Sequence, residues 1–565
     1  MVDDRYKWVA LSNTTLAMLL ATTDATTTLI AMPDIFRGLH LDPLQPGNSF
    51  YLLWMILGFL VVTSVLIVGL GRLGDMYGRV RMYNLGFVVY TLASLILAVD
   101  WLRGGAGADY LIVFRIVQGI GASFLLANTA AILTDAFPSN QRGLALGISN
   151  VVAISGQFLG LVLGGVLAPI NWRLIFLVSV PPGIFGTVWS YKRLREIGTH
   201  EPAPIDWAGN FTFALGLVLV MIGITYGISP YAHHPMGWQS PFVLSALSAG
   251  LALIATFVVI EHREKHPMFR LQLFRIRAFT AGAIATFFSS VARGGLMFML
   301  IIWLQGIWLP QHGHSFSSTP LWAGLSMLPL TFGFLVAGPL SGHLSDRFGS
   351  RLFATGGMLM CALDFGLLTL LPVDFDYRLF AGLLFLMGVS MGCFAAPNRA
   401  GVMNSLPPSD RGAGGAMNQT FQNSAQVLSI GIFFTLMILG LSATLPHTLQ
   451  SGLTAHGVPT ATAAHVATLP PVSVLFAAFL GYNPVQSLIG PHVLAHVSAA
   501  NAAVLTGRDF FPRLIEAPFR HGLHEAFTFA IAACLISALA STARGERHVE
   551  RTQDEVLAEP EFTQL

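Results

Sequence analysis

Fourteen apolar runs, each about long enough to cross a lipid bilayer, recur along this chain. A bilayer core about 30 Å thick is crossed by a helix of roughly 20 residues. We number the runs as spans 1 to 14; their residues are 8–32, 50–70, 80–100, 109–134, 143–168, 173–192, 206–228, 241–260, 278–305, 321–343, 351–371, 378–404, 413–442 and 521–543. These runs predict an all-α membrane protein with 14 transmembrane helices, and an even number places both termini on one side.

The composition of the 565-residue chain supports this prediction. Hydrophobic residue types make up 54% and charged types 10%, whereas a soluble domain carries about 25% charged residues. The mean hydropathy is +0.66. A net charge of +2 without a basic tract gives no reason to expect a nucleic-acid partner. Cys361, Cys393 and Cys534 lie inside apolar runs and are predicted to be small core residues.

Positive charge indicates which side of the membrane the termini occupy. Of the 30 lysines and arginines, 20 lie on the side of the N-terminus, and the short loops on the other side hold four. Short cytoplasmic loops carry an excess of positive charge in membrane proteins. We therefore expect a multi-pass protein of the cell membrane with both termini in the cytoplasm.

Two loops on the cytoplasmic side occur twice. GRLGDMYGR at 71–79 is matched by GHLSDRFGSR at 342–351, and FPSNQRG at 137–143 is matched by LPPSDRG at 406–412. The two offsets, 271 and 269 residues, are nearly equal. This repeat predicts two homologous six-helix halves with spans 7 and 8 between them, and a substrate site near the membrane midplane between the halves.

The repeat and the spans together predict the domain organisation. It comprises an N-terminal six-helix bundle at 1–200, two linker spans at 201–266, the first five spans of the C-terminal bundle at 267–442, a long extracytoplasmic loop at 443–520, the last span at 521–543 and a cytoplasmic tail at 544–565.

The long loop carries apolar stretches, so it forms either amphipathic helices on the membrane or a lid over the exit. We expect replacement of residues 450–510 by a short Gly/Ser linker to leave transport by the core partly intact. His492 and His496 have helical i, i+4 spacing, but with no nearby cysteine and few acids we predict no metal site.

These loops and several spans resemble signatures of the major facilitator superfamily. The loop pattern G-x-L-A-D-R-x-G-R appears as GRLGDMYGR, and the span 4 pattern R-x-x-Q-G-x-G-A is complete from Arg115 to Ala122. The span 1 pattern appears as TDATTTLIAMP, and segment 267–279 is similar to the linker before span 9 in fourteen-span drug:proton antiporters. The glycines of the span 5 exporter pattern are Gly147, Gly156, Gly160, Gly164 and Gly165.

The resemblance covers residues 8–440 and 521–543. It implies the major facilitator fold, with two six-helix bundles plus two extra central spans. It also implies a secondary active transporter that works by alternating access and exports hydrophobic or amphipathic small molecules in exchange for protons, as in multidrug efflux.

The resemblance further implies that the matched loops form a conformational latch. A carboxylate near a helix N-terminus gains roughly 0.3–1 kcal/mol, and the family arrangement places Asp75 beside the start of span 13 and Asp346 beside the start of span 5. Such contacts exist only while the cytoplasmic side is closed, so they bias the equilibrium between two states. The alternative is a turn held by glycines with solvated charges. The latch residues are Gly71, Asp75, Gly78, Arg79, Asp346 and Arg347.

Small residues recur on one face of span 5. Gly156, Gly160 and Gly164 are four residues apart, with Gly165 beside them. Small residues at that spacing let another backbone come close. We expect these glycines to seal the contact between the two halves, and ordinary helix packing is the alternative.

A polar stripe follows span 13. Amide side chains in lipid must face protein or water, so these side chains either line a cavity or pack between helices. The stripe consists of Asn418, Gln419, Gln422, Asn423 and Gln426, and we group Gln118 of span 4 with it as cavity-lining.

Four charged residues inside spans are candidates for function. Asp24 of span 1 and Arg115 of span 4 are predicted to lie about 6 and 9 Å below the outer membrane edge. A charge in a span costs at least about 2.5 kcal/mol, so it needs a partner or a function. We predict that Asp24 carries the proton together with Arg115; a static ion pair is the alternative. Arg293 and Asp364 both lie roughly 20 Å deep and could form a second buried pair with a structural or a transport role.

The sequence lacks the motifs of several other activities. An ATP-driven pump needs a phosphate loop ending in Gly-Lys-Ser/Thr, and none of the lysines, Lys7, Lys192 and Lys265, follows a glycine. HExxH and GxSxG are absent, so we expect neither an enzyme nor a cofactor. The expected partners of a monomer are a small-molecule substrate, protons and the lipid bilayer. The open alternatives are an exporter of a specific endogenous lipid or secondary metabolite, and a non-transporting membrane sensor or assembly protein.

Overall fold

The computed structural model describes residues 4–45, 47–138, 141–197, 206–232, 234, 236–264, 267, 269–407, 410–481 and 483–544, without the side chains of residues 68, 142–144, 150, 346, 411 and 412. Within these ranges the protein is helical and forms no extended sheet. Thirteen helices are each long and apolar enough to cross a membrane, and a bent helix pair at the N-terminus supplies span 1. The fourteen predicted spans are therefore all present as helices. Of the predicted cytoplasmic tail, only residue 544 is described.

The spans have the following bounds. In chain order they are Asp4–Ile30, Asn48–Tyr77, Arg79–Ala98, Gly104–Ala136, Arg142–Leu167, Leu174–Leu177 with Val180–Arg193, Trp207–Ile228, Pro241–Arg263, Arg277–Ile301, Thr319–Ser326 with Leu328–Phe348, Ser350–Leu370, Tyr377–Asn404, Arg411–Ala455 and Phe510–Thr542.

Prolines mark the places where three spans break. Span 1 ends at Ile30, and a short helix, Met32–Leu39, continues at an angle of 63° with a proline in its first turn. In spans 6 and 10 the second helical segment also begins with a proline in its first turn. Proline has no N–H to bond to the preceding turn, but it fits the first turn of a new helix.

Span 9 ends in an unusual helical geometry. Beyond Ile301 it continues as a π-helix, Ile302–Trp308, all of whose residues are buried, and closes with the turn Leu309–Gln311. π-helical turns are rare and are often found at functional sites.

The segment between spans 13 and 14 is mostly helical. Span 13 continues to Ala455, beyond its apolar run, and span 14 begins at Phe510, before its own. The helices described between them are Thr460–Ala467, Pro471–Phe479, Val485–His496 and Ala499–Leu505. The first two are bent by 89° relative to each other, and we call this pair the outer hairpin.

The second helix of the outer hairpin is inserted into the protein. All nine residues of Pro471–Phe479 are buried. The ring of Phe479 packs on Phe298 of span 9, and that of Phe476 packs on Phe434 of span 13, each with a centroid separation of 5.4 Å. This part of the loop is therefore not an amphipathic helix on the membrane surface.

The buried apolar residues show which ends of the two halves touch. One large cluster joins residues near the predicted outer ends of the N-terminal half, such as Leu53 and Leu161, to residues of the C-terminal half, such as Phe298. Two other clusters lie near the predicted cytoplasmic ends. One contains residues of the N-terminal half, and the other contains residues of the C-terminal half and the linker spans. Among the described residues, the apolar core thus joins the halves at their outer ends and is divided at their cytoplasmic ends.

Candidate functional site

A buried ion pair joins span 1 to span 4. A guanidinium nitrogen of Arg115 donates to the Asp24 carboxylate, and the two side chains are 2% and 1% exposed. Gln118 lies between them: its Oε1 accepts a hydrogen bond from Arg115 at 2.8 Å, and its Nε2 donates to Asp24 Oδ1 at 3.1 Å. The structure brings together the two residues predicted for proton coupling and adds Gln118 to them.

Helical spacing on span 4 positions both partners of Asp24. Arg115 and Gln118 are three residues apart, so they project from the same face. Gln118 is 0% exposed, which means that it orients the ion pair and does not line an open cavity in this conformation. Its Nε2 also donates to Ser94 Oγ of span 3 at 2.9 Å. Ser94 could not be predicted from the sequence, because a single serine in an apolar run forms no pattern.

The remaining contacts of Arg115 enclose the ion pair. Its Nε donates to the carbonyl oxygen of Met55 at 3.4 Å, and its guanidinium lies 4.5 Å from the centre of the Phe59 ring. Removing one partner of a buried ion pair typically costs about 3–5 kcal/mol, because the other charge is left alone. A change in the charge of Asp24 must therefore be accompanied by a rearrangement around Arg115.

The span 5 glycines form a groove in which span 1 lies. Cβ atoms added at Gly156, Gly160 and Gly164 would all come within 2.3 Å of span 1 atoms. The hydroxyls of Thr23 and Thr27 donate to the carbonyl oxygens of Gly156 and Gly160 at 3.0 and 3.1 Å. Because Thr23 precedes Asp24 directly, this groove fixes the position of the acid.

The expected role of these glycines at the contact between the halves was wrong for three of them. Gly156, Gly160 and Gly164 face span 1, which belongs to the same half, because spacing along a helix defines a face but not its partner. Gly165 does meet the other half: an added Cβ would lie 2.5 Å from the Cα atom of Leu321 in span 10.

The close approach at Gly160 predicts a sensitive substitution. Gly160→Ala places a methyl group 2.3 Å from the carbonyl oxygen of Thr23, and overpacking of this kind costs about 1–3 kcal/mol. We expect a lower thermal unfolding midpoint of the purified protein and a loss of transport. The matched control is Gly147→Ala on the same helix, where an added Cβ meets nothing within 4 Å. Equal midpoints for the two variants would contradict the groove.

The loop between spans 2 and 3, the first of the two latch loops, contains a charge network. Arg79 bonds to Asp75 Oδ1 at 2.8 Å and to Asp135 Oδ1 at 2.6 Å. Gly78 has a φ of 104°, a backbone conformation that favours glycine. The network lies within the N-terminal half. The predicted contact of Asp75 with the start of span 13 falls on side chains outside the described residues.

The second latch loop is less completely described. The side chain of Asp346 lies outside the described residues. Arg347 is exposed, and its guanidinium lies 5.5 Å from the centre of the Phe348 ring. Gly349 has a φ of 90° and so repeats the backbone conformation of Gly78. The remaining latch residue, Gly71, faces Ala127 of span 4 at an ordinary contact distance of 3.7 Å from an added Cβ.

The amide stripe of span 13 keeps part of its exposure. Gln419, Gln422, Asn423 and Gln426 are half-buried, whereas Asn418 is buried. Gln419 Nε2 donates to Asn423 Oδ1 at 2.9 Å. The stripe is thus partly bonded to itself and partly open, which fits both cavity lining and packing.

The second buried pair suggested from the sequence, Arg293 with Asp364, is not formed. No ion pair joins these two described residues. Asp364 is fully buried and accepts a hydrogen bond from Ser390 Oγ of span 12 at 2.6 Å, while its Oδ1 has no hydrogen-bond partner among the described residues. Equal depth in the membrane does not determine the direction in which a side chain projects, which explains this error.

Many secondary transporters are helical membrane proteins built from two repeated halves, and this protein has that architecture. The family model of the Major Facilitator Superfamily matches residues 14–206 and 205–430. The chain therefore belongs to the major facilitator superfamily, and the predicted fold is confirmed.

Three curated relatives are similar to this chain over three quarters or more of its length. The chain is 26% identical over 493 residues to "Multidrug transporter protein MdtP" of Bacillus subtilis, covering 86% of this chain and 84% of that protein. It is 25% identical over 437 residues to "Riboflavin transporter RibZ" of Clostridioides difficile, covering 76% and 88%. It is 26% identical over 433 residues to "Methylenomycin A resistance protein" of Bacillus subtilis, covering 76% and 87%.

One solved structure has a similar fold over nearly its whole length. It is a bacterial homolog of the human lysosomal transporter Spinster in an inward-facing, unoccupied conformation, with a TM-score of 0.59, 15% identity and coverage of 96% of this chain and 98% of that one. At this identity the similarity shows the fold alone.

Proposed function

We propose that this protein exports hydrophobic or amphipathic small molecules in exchange for protons, by alternating access. The observation that carries the proposal is the buried ion pair between Asp24 and Arg115, bridged by Gln118. The relatives named for multidrug transport and for methylenomycin A resistance support the substrate class.

The gain or loss of a proton at Asp24 changes which conformation of the protein is favoured. The ionised carboxylate holds Arg115, whereas a protonated Asp24 no longer compensates that charge. A buried charge left alone costs several kcal/mol, so proton uptake favours a state in which water or substrate reaches Arg115. A ligand or proton shifts a conformational equilibrium only by such a difference between states, and this ion pair supplies one.

The driving force is sufficient for export. One proton entering across a potential of about 100 mV releases about 2.3 kcal/mol. That corresponds to roughly a 50-fold concentration ratio of a neutral substrate.

The cellular setting follows from the charge pattern. We place the protein in the cell membrane as a monomer with both termini in the cytoplasm, acting on a small molecule and protons without enzymatic chemistry. In this orientation the joined ends of the two halves face outward, so the conformation described above is closed to the outside.

The latch leads to a prediction at Asp75. Asp75→Asn is expected to slow efflux about two- to fivefold, since a carboxylate at a helix N-terminus contributes about 0.3–1 kcal/mol. Asp75→Arg is expected to cripple efflux, because it also opposes Arg79. The measurement is ethidium efflux from cells with equal amounts of membrane-inserted protein. Asp374→Arg, at an acid that is 61% exposed near the predicted outer surface, is the control. Normal efflux by Asp75→Arg would reject the latch.

Export of one endogenous compound is the second candidate. The relative named as a riboflavin transporter favours it, because that name describes a single substrate. Deleting the gene should then change the pool of one metabolite without changing drug susceptibility. The multidrug proposal instead expects increased susceptibility to several unrelated compounds.

A further inference from the structure

Within the described part of the chain, an arginine without a counterion is buried at the predicted cytoplasmic end of the C-terminal half. Arg544 follows the last turn of span 14 and is 9% exposed, and its Nε, Nη1 and Nη2 atoms are buried without a hydrogen-bond partner. Burial lowers the pKa of this side chain to about 10, so it remains charged at neutral pH. An unpaired buried charge is strongly unfavourable, which calls for an anionic partner.

Three other spans meet at this guanidinium. A Cβ added at Gly282 of span 9 would lie 3.1 Å from Nη2, and one at Gly401 of span 12 would lie 2.9 Å from Nη1. The Oγ of Ser350, at the start of span 11, would lie 2.6 Å from the same added Cβ of Gly401. Arg277 donates to the carbonyl oxygen of the residue before Arg544 at 2.8 Å, which places a second, exposed cation nearby.

The internal repeat gives a comparison for this end of the C-terminal half. In the N-terminal half, Glu196 follows span 6, and its carboxylate accepts hydrogen bonds from the backbone N–H groups of Arg79 and Val80 at 2.9 and 3.0 Å. These groups open span 3. The counterpart of span 3 is span 11, where no described side chain accepts a hydrogen bond from the first backbone N–H groups, those of Ser350 and Arg351. Arg544 follows span 14 and lies near this helix start, so within the described residues a cation stands where the N-terminal half has a carboxylate.

We propose that Arg544, Arg277 and the start of span 11 form a binding site for a phosphate group. Helix N-termini present free N–H groups and a positive dipole end to anions, and arginine binds phosphate through charge-assisted hydrogen bonds. Anionic lipids of the cytoplasmic leaflet offer a phosphate at this depth, and basic pockets between transmembrane helices bind such headgroups. Inorganic phosphate offers the same chemistry in free form. The site is independent of the proposed export function.

The test compares the full-length protein with Arg544→Gln in detergent. Without added anion, the variant is expected to be at least as stable as the wild type, because an uncompensated charge has been removed. With phosphatidylglycerol, the wild type is expected to gain a higher unfolding midpoint and to bind the lipid at least about tenfold more tightly than the variant. Native mass spectrometry measures the bound lipid. Arg275→Gln, at an exposed arginine near the same end, should behave as the wild type.

Further additions identify the source of the phosphate. Phosphatidylcholine controls for binding of the acyl chains. If inorganic phosphate alone produces the full stabilisation, the site takes a free anion; if only phosphatidylglycerol does, it takes a lipid headgroup. Equal responses of the wild type and Arg544→Gln to both anions would overturn the proposal. A midpoint that Arg544→Gln lowers equally in every condition would also overturn it, because the chain itself would then supply the counterion.

Discussion

Asp24→Asn is expected to abolish efflux against a concentration gradient. Asparagine keeps the shape of aspartate and can still bond to Gln118, but it neither ionises nor exchanges a proton. Since Arg115 would lose its counterion inside the protein, part of the effect could come from a loss of stability of about 3–5 kcal/mol. The measurement is drug accumulation in energised cells, normalised to the amount of folded protein in the membrane.

A second variant separates folding from function. Asp24→Asn combined with Arg115→Gln removes both charges, so it should recover stability while remaining inactive. Asp24→Glu keeps a titratable group and should retain part of the activity. If Asp24→Asn still pumps with an unchanged pH dependence, the proton site lies elsewhere, and Asp364, with its unbonded buried oxygen, becomes the next candidate.

Replacing residues 456–509 by a short Gly/Ser linker is expected to destabilise the protein and abolish transport. The deletion removes Phe476 and Phe479 from their contacts and uncovers Phe298 and Phe434. Burying one large apolar side chain contributes about 1.5–3 kcal/mol to the free energy of unfolding. Complete loss of the burial of all four rings would therefore cost roughly 6–12 kcal/mol, which is the upper limit for this replacement. This expectation reverses the one made from the sequence, because the outer hairpin is part of the core.

A smaller replacement in the same segment is the control. Residues 491–504 are mostly exposed, so a linker in their place should leave the unfolding midpoint and transport nearly unchanged. Recovery of a stable, active protein after the larger replacement would show that the hairpin is dispensable.

The hairpin also approaches the π-helix of span 9: a Cβ at Gly306 would lie 2.9 Å from the carbonyl oxygen of Ala478. Gly306 therefore permits this close packing.

The sequence predicted best the features that depend on the length of an apolar run or on the number of residues between two positions. The length of the apolar runs predicted the fourteen spans, and counting residues from the span ends placed Asp24 and Arg115 at similar depth. The structure joins these two side chains. Contacts that depend on the direction of a side chain around its helix were not predictable in this way. Arg293 and Asp364 are the example, since similar depth did not make them partners.

The loop between spans 13 and 14 shows a second limit. Its apolar stretches were visible, but an apolar stretch of nine residues is too short to be assigned to a membrane span. Only the surrounding rings of spans 9 and 13 show that Pro471–Phe479 is buried within the protein. Arg544 likewise looked like one more cytoplasmic arginine, because its burial depends on glycines in two distant spans.

Whether a proton taken up at Asp24 drives export can be measured in proteoliposomes. The wild type and Asp24→Asn are reconstituted with a pH-sensitive dye inside the vesicles, and ethidium, puromycin and riboflavin are tried as substrates under an imposed pH gradient. We predict that the wild type moves at least one of them with a countercurrent of protons, that a protonophore stops the uphill movement, and that Asp24→Asn shows no substrate-dependent proton flux. Uphill substrate movement that continues after the gradient is collapsed, or equal proton flux through Asp24→Asn, would show that protons taken up at Asp24 do not drive export.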